Sequence, residues 1–233
     1  MIPSTTWLDS LKAYLAAAHE GGEEDVHQLR VATRRLSSWL KLARMRILRS
    51  DLRWLRAAGG GVRDIDVVLA QAPPEPLVVW LRRERATRLA HLFRVVAAPR
   101  TDALCVALGL LAPVDEGRAR QVVPRLARRV LEVGGQLQLA PNDVESFHQL
   151  RRSVRGLRYA LEWFDEKTGA FKEFQDISGR AADLSVALLL LDAYPDAAEL
   201  ADHRRQLEEE FAARRLEAVD AWPRLRETVD ELA

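Results

Sequence analysis

Apolar residues recur along most of the chain at three-, four- and seven-residue steps, the spacing that gathers them on one face of an α-helix. Leu29, Leu36 and Leu40 form one such set, and prolines gather between such segments, as in residues 73–76. Sustained apolar–polar alternation, which would indicate strands, is lacking. Three consecutive glycines at 59–61 either break a helix or allow a close approach to its backbone. We predict helices at about 5–19, 24–46, 49–71, 77–98, 101–112, 117–138, 143–167, 171–193 and 196–231.

A short motif occurs twice and predicts an internal repeat. Residues 26–30 read Val-His-Gln-Leu-Arg, and residues 147–151 read Phe-His-Gln-Leu-Arg, at an offset of 121. The match continues at offsets of 121 and then 119 in further pairs: Arg34 with Arg155, Leu36 with Leu157, Gly60 with Gly179, and Asp64 with Asp183. Long helices with short connections favour antiparallel bundles. We therefore predict an all-α fold of two repeat-related four-helix bundles, residues 1–114 and 115–233, related by a pseudo-two-fold axis.

Basic residues line the outward faces of the helices that carry this repeat. At 100° per residue, Arg30, Arg34 and Lys41 fall within about 40° of one another, opposite Leu29 and Leu36. Like charges stacked at this spacing destabilise a helix, so the pattern favours an anion-binding surface over a solvated face. The predicted anion-binding residues are His27, Arg30, Arg34, Lys41, Arg49, Arg53, Arg56, Arg63, His148, Arg151, Arg155, Arg158 and Lys172.

The charge composition agrees with a local basic surface. Thirty-five Lys and Arg residues nearly cancel thirty-four Asp and Glu residues, and all but four of these cations are arginine. Arginine binds phosphate through a planar fork, although a GC-rich genome would also favour it. Cys105 is the only cysteine, so no disulfide forms within the chain and we expect a reducing, cytoplasmic location. We expect no signal peptide, and the longest apolar run, residues 186–191, is too short to span a membrane.

The two histidines of the repeat raise the alternative of a metal site. His27 and His148 head the basic stripes, and Asp64 and Asp183 are the candidate further ligands. We predict no metal and no cofactor, because the surrounding arginines repel a divalent cation and metal-ligand spacings such as HExxH are missing. The two aspartates are instead predicted to orient Arg or His side chains. Phosphate-loop and nucleophile-elbow motifs are also missing, so we expect a protein that is not an enzyme.

These motifs resemble those of the CHAD family, the conserved histidine α-helical domain. Residues 27–36 read HQLRVATRRL, and the segment from His148 ends in LRYALE at residues 157–162. The resemblance covers essentially the whole chain. It implies two four-helix bundles around a basic central cavity, and binding of inorganic polyphosphate without known catalysis. The family is often fused to a triphosphatase domain, whereas this chain resembles the stand-alone form, with an association with polyphosphate granules as a further expectation.

Three other functions are alternatives at this stage. A nucleic-acid binder needs aromatic platforms beside its cations, and Trp39 and Trp54 lie off the stripes, so nucleic acid is disfavoured. An enzyme acting on phosphoanhydrides needs a carboxylate cluster for magnesium. A scaffold for an acidic protein needs an exposed apolar patch beside the charge. The sequence leaves the oligomeric state and the preferred polyphosphate length open.

Overall fold

The chain is helical almost throughout in a computed structural model that describes residues 1–233, apart from the side chain of His19. Among the described residues no β-strand forms, and an isolated bridge joins Ile2 to Val114. The all-α class is therefore confirmed. The helices are α1 (Thr5–Ala17), α2 (Glu23–Leu42), α3 (Arg49–Leu69), α4 (Glu75–Val96), α5 (Pro99–Gly109), α6 (Glu116–Arg120), α7 (Val123–Leu139), α8 (Val144–Leu161), α9 (Gly169–Asp192) and α10 (Ala201–Asp230).

The chain divides into two compact units, Met1–Arg118 and Ala119–Ala233. The first contains α1 to α5 and the second contains α7 to α10, with the short α6 at the division. That the two units are repeats bounded at residues 114 and 115, related by a pseudo-two-fold axis around a cavity, stays a prediction.

The core of the first unit lies where the apolar periodicity places it. Leu29 and Leu36 on α2, and Leu52 and Leu55 on α3, are fully buried. α1 packs on α2, α4 packs on α3, and α5 contacts both α1 and α3. Each fully buried leucine stabilises the fold by roughly 1.5–3 kcal/mol. This burial fixes α2 and α3 side by side and turns their charged stripes outward.

Several helix boundaries differ from the predicted ones. α8 ends at Leu161 and is followed by a 3-10 turn at Glu162–Phe164, and α10 begins at Ala201 after a 3-10 turn at Ala197–Leu200. α2 ends at Leu42, because Arg44 adopts a left-handed conformation (φ 56°) and Met45 N donates to Leu40 O at 2.9 Å. This helix-ending arrangement usually has glycine at the left-handed position, so an arginine there gives no sequence signal. The predicted helix at 117–138 is instead split into α6 and α7. Pro124 stands in the first turn of α7, and without an N–H it cannot continue a preceding helix.

The second unit is built around the long helix α10, which packs along α9 and α7. Trp222 of α10 is buried and meets Phe174 edge-on, with ring centroids 6.5 Å apart. A Cβ atom at Gly134 of α7 would overlap the indole of Trp222. The close approach of α7 to α10 therefore requires glycine at this position.

Candidate functional site

The basic residues predicted on α2 and α3 lie close together in the first unit. Arg56 is half-buried, and its pKa is lowered first by burial and then by Arg34, Arg53 and Arg30. Each of these neighbours must therefore be near enough to disfavour the charged form of Arg56. Two helices thus bring four arginines into one electrostatic group.

The same group extends toward the C-terminal end of α2. The pKa of Lys41 is lowered by burial, and then by Arg49 and Arg56. Arg49 Nη2 also donates to Leu40 O at 3.0 Å, which ties the start of α3 to the end of α2. Lys41 and Arg49 therefore join the cluster, as the helical projection predicts for Lys41.

His27 lies at the N-terminal end of the cluster. Burial lowers the pKa of its imidazole, and Arg63, Arg34 and Arg30 lower it further, whereas Glu24 acts in the opposite direction. We call the set the α2–α3 surface, which consists of His27, Arg30, Arg34, Lys41, Arg49, Arg53, Arg56 and Arg63. Every residue predicted for the first half of the site is therefore part of one cationic surface.

Arg30 is held in place by two hydrogen bonds to α3. Its side chain is 15% exposed, and Nη1 donates to Gly60 O at 3.3 Å and to Asp64 Oδ1 at 3.2 Å. Burial lowers the pKa of Arg30, and Arg34 lowers it further, while Asp64 opposes them. The orienting function predicted for Asp64 is therefore present in the structure. Arg63 forms an ion pair with Glu23.

In the second unit, α8 and α9 carry a smaller cationic set. Burial lowers the pKa of His148, and Arg152 and Arg151 lower it further, against Glu145. A Cβ atom at Gly179 would lie 3.7 Å from Arg151 Nη2. The repeat pair Arg30–Gly60 thus has a local counterpart in Arg151–Gly179. We call this set the α8–α9 surface, which consists of His148, Arg151, Arg155, Arg158 and Lys172.

The C-terminal half of α8 and the first turn of α9 carry the remaining cations of the α8–α9 surface. Arg158 Nη1 lies 3.5 Å from Glu162 Oε1, and its guanidinium stands 4.8 Å from the ring centroid of Tyr159. Arg155 is half-buried, and Lys172 is exposed in the first turn of α9.

These two surfaces lie on a fold that other structures share. A profile of the CHAD domain matches residues 5–192. The chain belongs to the CHAD family. It is similar to the crystal structure of the CHAD domain from the plant Ricinus communis, with 25% sequence identity, a TM-score of 0.70, and coverage of 98% of this chain and 87% of that one. It also resembles PptA from Streptomyces chartreusis, with 16% identity, a TM-score of 0.64, and coverage of 99% and 100%. A search of curated proteins gave no match.

Arginines from distant helices fix the start of both motif helices in this CHAD domain. Arg85 of α4 donates to Asp66 at 2.6 Å and to Gly21 O at 3.1 Å, so it ties α3 to the turn before α2. Arg215 of α10 donates to Asn142 O at 2.6 Å and to Asn142 Oδ1 at 2.9 Å, just before α8. Sequence reasoning missed both clamps, because nothing in helical periodicity shows which loop a distant arginine reaches.

Two further findings concern metal-binding clusters and membrane-spanning helices in the CHAD domain. Among the described residues, no cluster of three or more His, Cys, Asp or Glu side chains is arranged to hold a metal ion. Among the described helices, none combines the length and apolar character that a membrane crossing requires.

Proposed function

We propose that this CHAD domain binds inorganic polyphosphate through the α2–α3 and α8–α9 surfaces and catalyses no reaction on it. The observation that carries the proposal is the crowding of half-buried cations on the α2–α3 surface. Burial and neighbouring cations disfavour the charged forms of Arg30, Lys41 and Arg56. A bound polyanion would relieve this repulsion, and arginine forks form charge-assisted bonds with phosphate oxygens.

The extent of the surface favours a long ligand. From His27 to Lys41, α2 runs for fourteen residue steps, or about 21 Å at 1.5 Å per residue. One orthophosphate would touch only a few of these cations at a time, whereas a polyphosphate chain would join many contacts at high effective concentration. In a cell, the same binding would bring the protein to polyphosphate granules in the cytoplasm.

The aromatic residues near the cations favour a ligand without bases. Trp39 is fully buried, and its indole N–H donates to Ile2 O at 3.1 Å. Trp54 is covered by the guanidinium of Arg100, which lies 4.5 Å from the ring centroid. Tyr159 is buried beside Arg158. Single-strand binders stack bases on exposed rings, so these three rings support a base-free polyanion over nucleic acid.

A titration with orthophosphate, triphosphate and long-chain polyphosphate at two salt concentrations tests the proposal. We expect affinity to rise with chain length, and the salt dependence to steepen as more counterions are released. The variant Arg34→Gln/Arg53→Gln should bind long chains at least about tenfold more weakly than Arg205→Gln/Arg226→Gln, which removes the same charge from α10. Equal affinity for triphosphate, ATP or single-stranded DNA would contradict the proposal, as would phosphate release in the presence of magnesium.

A further inference from the structure

The three consecutive glycines of α3 have different surroundings, although the helix runs through them without a break. A Cβ atom at Gly59 would lie 3.4 Å from Cγ of Arg30, which comes from α2. A Cβ atom at Gly61 would lie 3.2 Å from Cδ of Arg88, which comes from α4. At Gly60 a Cβ atom would meet nothing within 4 Å. Successive residues of a helix point about 100° apart. The face of α3 at Gly60 therefore lies between the side chains of Arg30 and Arg88 and carries no side chain of its own.

The guanidinium groups of the same two arginines reach consecutive peptide groups. Arg30 Nη1 donates to Gly60 O at 3.3 Å, and Arg88 Nη1 donates to Gly61 O at 3.2 Å. Arg30 Nη1 also donates to Asp64 Oδ1 at 3.2 Å. A guanidinium has five N–H donors, so each arginine keeps donors for a phosphate oxygen beyond these bonds. Two cations from different helices therefore flank a stretch of α3 that carries no side chain.

We propose that Gly60 is the floor of a phosphate-binding slot with Arg30 and Arg88 as its walls. One phosphate unit of the chain would lie over Gly60 and accept hydrogen bonds from both guanidiniums. Arg88 is then a ligand-binding residue outside the set predicted from the repeat. The residue 119 positions further on is Leu207, so the repeat gives no signal for Arg88. The proposal rests on polyphosphate binding as the function of the α2–α3 surface.

The first arm of the test removes the charge of Arg88 and keeps its apolar stem. Arg88→Met should weaken binding of long-chain polyphosphate about tenfold, since a hydrogen bond to a charged group is lost. It should also lower the salt slope by about one. The matched control is Arg83→Met, because Arg83 is an exposed arginine on the same helix. A loss for Arg88→Met no greater than that for Arg83→Met would overturn the assignment of Arg88.

The second arm fills the slot from its floor. Gly60→Leu should raise the melting temperature, because leucine is a better helix former than glycine and the position has open space. The same variant should bind polyphosphate about tenfold more weakly, since the leucine side chain takes the place of the phosphate. Gly135→Leu on α7 is the control, because a Cβ atom at Gly135 also meets nothing within 4 Å. It should raise stability and leave binding unchanged.

A higher melting temperature together with weaker binding in Gly60→Leu would show that the slot is blocked and the fold is intact. If Gly60→Leu binds as tightly as the unaltered protein, the slot is rejected while the proposed function stands. If the unaltered protein itself fails to bind long-chain polyphosphate, the proposed function fails and the slot fails with it.

Discussion

The α2–α3 and α8–α9 surfaces carry the same types of residue at several matching positions, but the first has more cations. Both place a histidine and arginines on the first helix of the pair and a Gly–Asp pair on the second. The positions that match Arg56 and Arg63 carry Gln175 and Ala182, and the position that matches Lys41 carries Glu162. Within the predicted repeat, the residues that set geometry therefore match, whereas several residues that set charge differ.

This difference changes the electrostatics of the two surfaces. On the α2–α3 surface, cations lower the pKa of other cations, as at Arg56 and Lys41. On the α8–α9 surface, Arg158 has a carboxylate partner in Glu162. Acidic partners are present on both surfaces, since Asp64 and Glu23 pair with Arg30 and Arg63 on the first. The difference therefore lies in the number and crowding of the cations, whose mutual repulsion a polyanion relieves. We therefore expect the α2–α3 surface to contribute the larger share of the affinity.

The largest effect is expected from removing matched cations from each unit. Arg30→Gln/Arg53→Gln should weaken polyphosphate binding about 100-fold, and its repeat counterpart Arg151→Gln/Lys172→Gln about tenfold. The loss of affinity is larger for the first pair because Asp64 no longer has Arg30 as its partner. The unpaired carboxylate then repels the bound polyanion. Calorimetric titration measures both, with circular dichroism to verify helicity. Equal losses would show that the two surfaces contribute equally.

A smaller effect is expected from pH. Burial, and then neighbouring arginines, lower the pKa values of His27 and His148 from the ordinary histidine value, so the neutral imidazole is favoured in the free protein near pH 7. A bound phosphate raises these pKa values, so binding takes up protons and tightens as pH falls from about 7 through the bound-state values. Each histidine contributes at most about tenfold per pH unit.

The pH dependence has an internal control. His27→Gln/His148→Gln should flatten the profile, and a profile of unchanged slope would assign the effect to the phosphate itself. The folding stability of the free protein has the opposite pH dependence to binding. A lowered histidine pKa stabilises the folded state above 6.5, and that contribution is lost as pH falls below it. Thermal unfolding without ligand at pH 5.5 and 7.5 measures this separately.

The next effect tests whether charge density explains the difference between the units. Gln175→Arg gives α9 the cation that Arg56 provides on α3, and we expect it to strengthen polyphosphate binding about fivefold. Gln206→Arg on α10 adds the same charge at an exposed position that belongs to neither surface and serves as the control. Equal gains from the two variants would mean that only net charge matters.

The smallest effect concerns the acids within the surfaces. Asp64→Asn and Glu162→Gln keep an oxygen acceptor for Arg30 and Arg158 but remove a negative charge. We expect each to strengthen binding about two- to threefold, as partly exposed charges have modest effects. Weaker binding by Asp64→Asn would show that its charge is needed to position Arg30.

The sequence alone determined the class of fold and the buried faces of its helices. These features depend on local periodicity. Leu29, Leu36 and Leu40 lie on one face of a helix, and burying all three requires that this face pack against the core. The orientation of the basic stripes follows from the same rule, because they stand opposite the apolar ones.

Only the tertiary structure decided which side chains meet across helices. The glycines at 59–61 left two alternatives, and the packing of α2 and α4 against α3 shows that they allow close approach and leave the helix unbroken. Arg88, the Arg215 clamp and the contact of Trp222 with Gly134 have no periodic signal. Their contacts depend on how helices distant in sequence pack, and helical periodicity carries information only about one helix at a time.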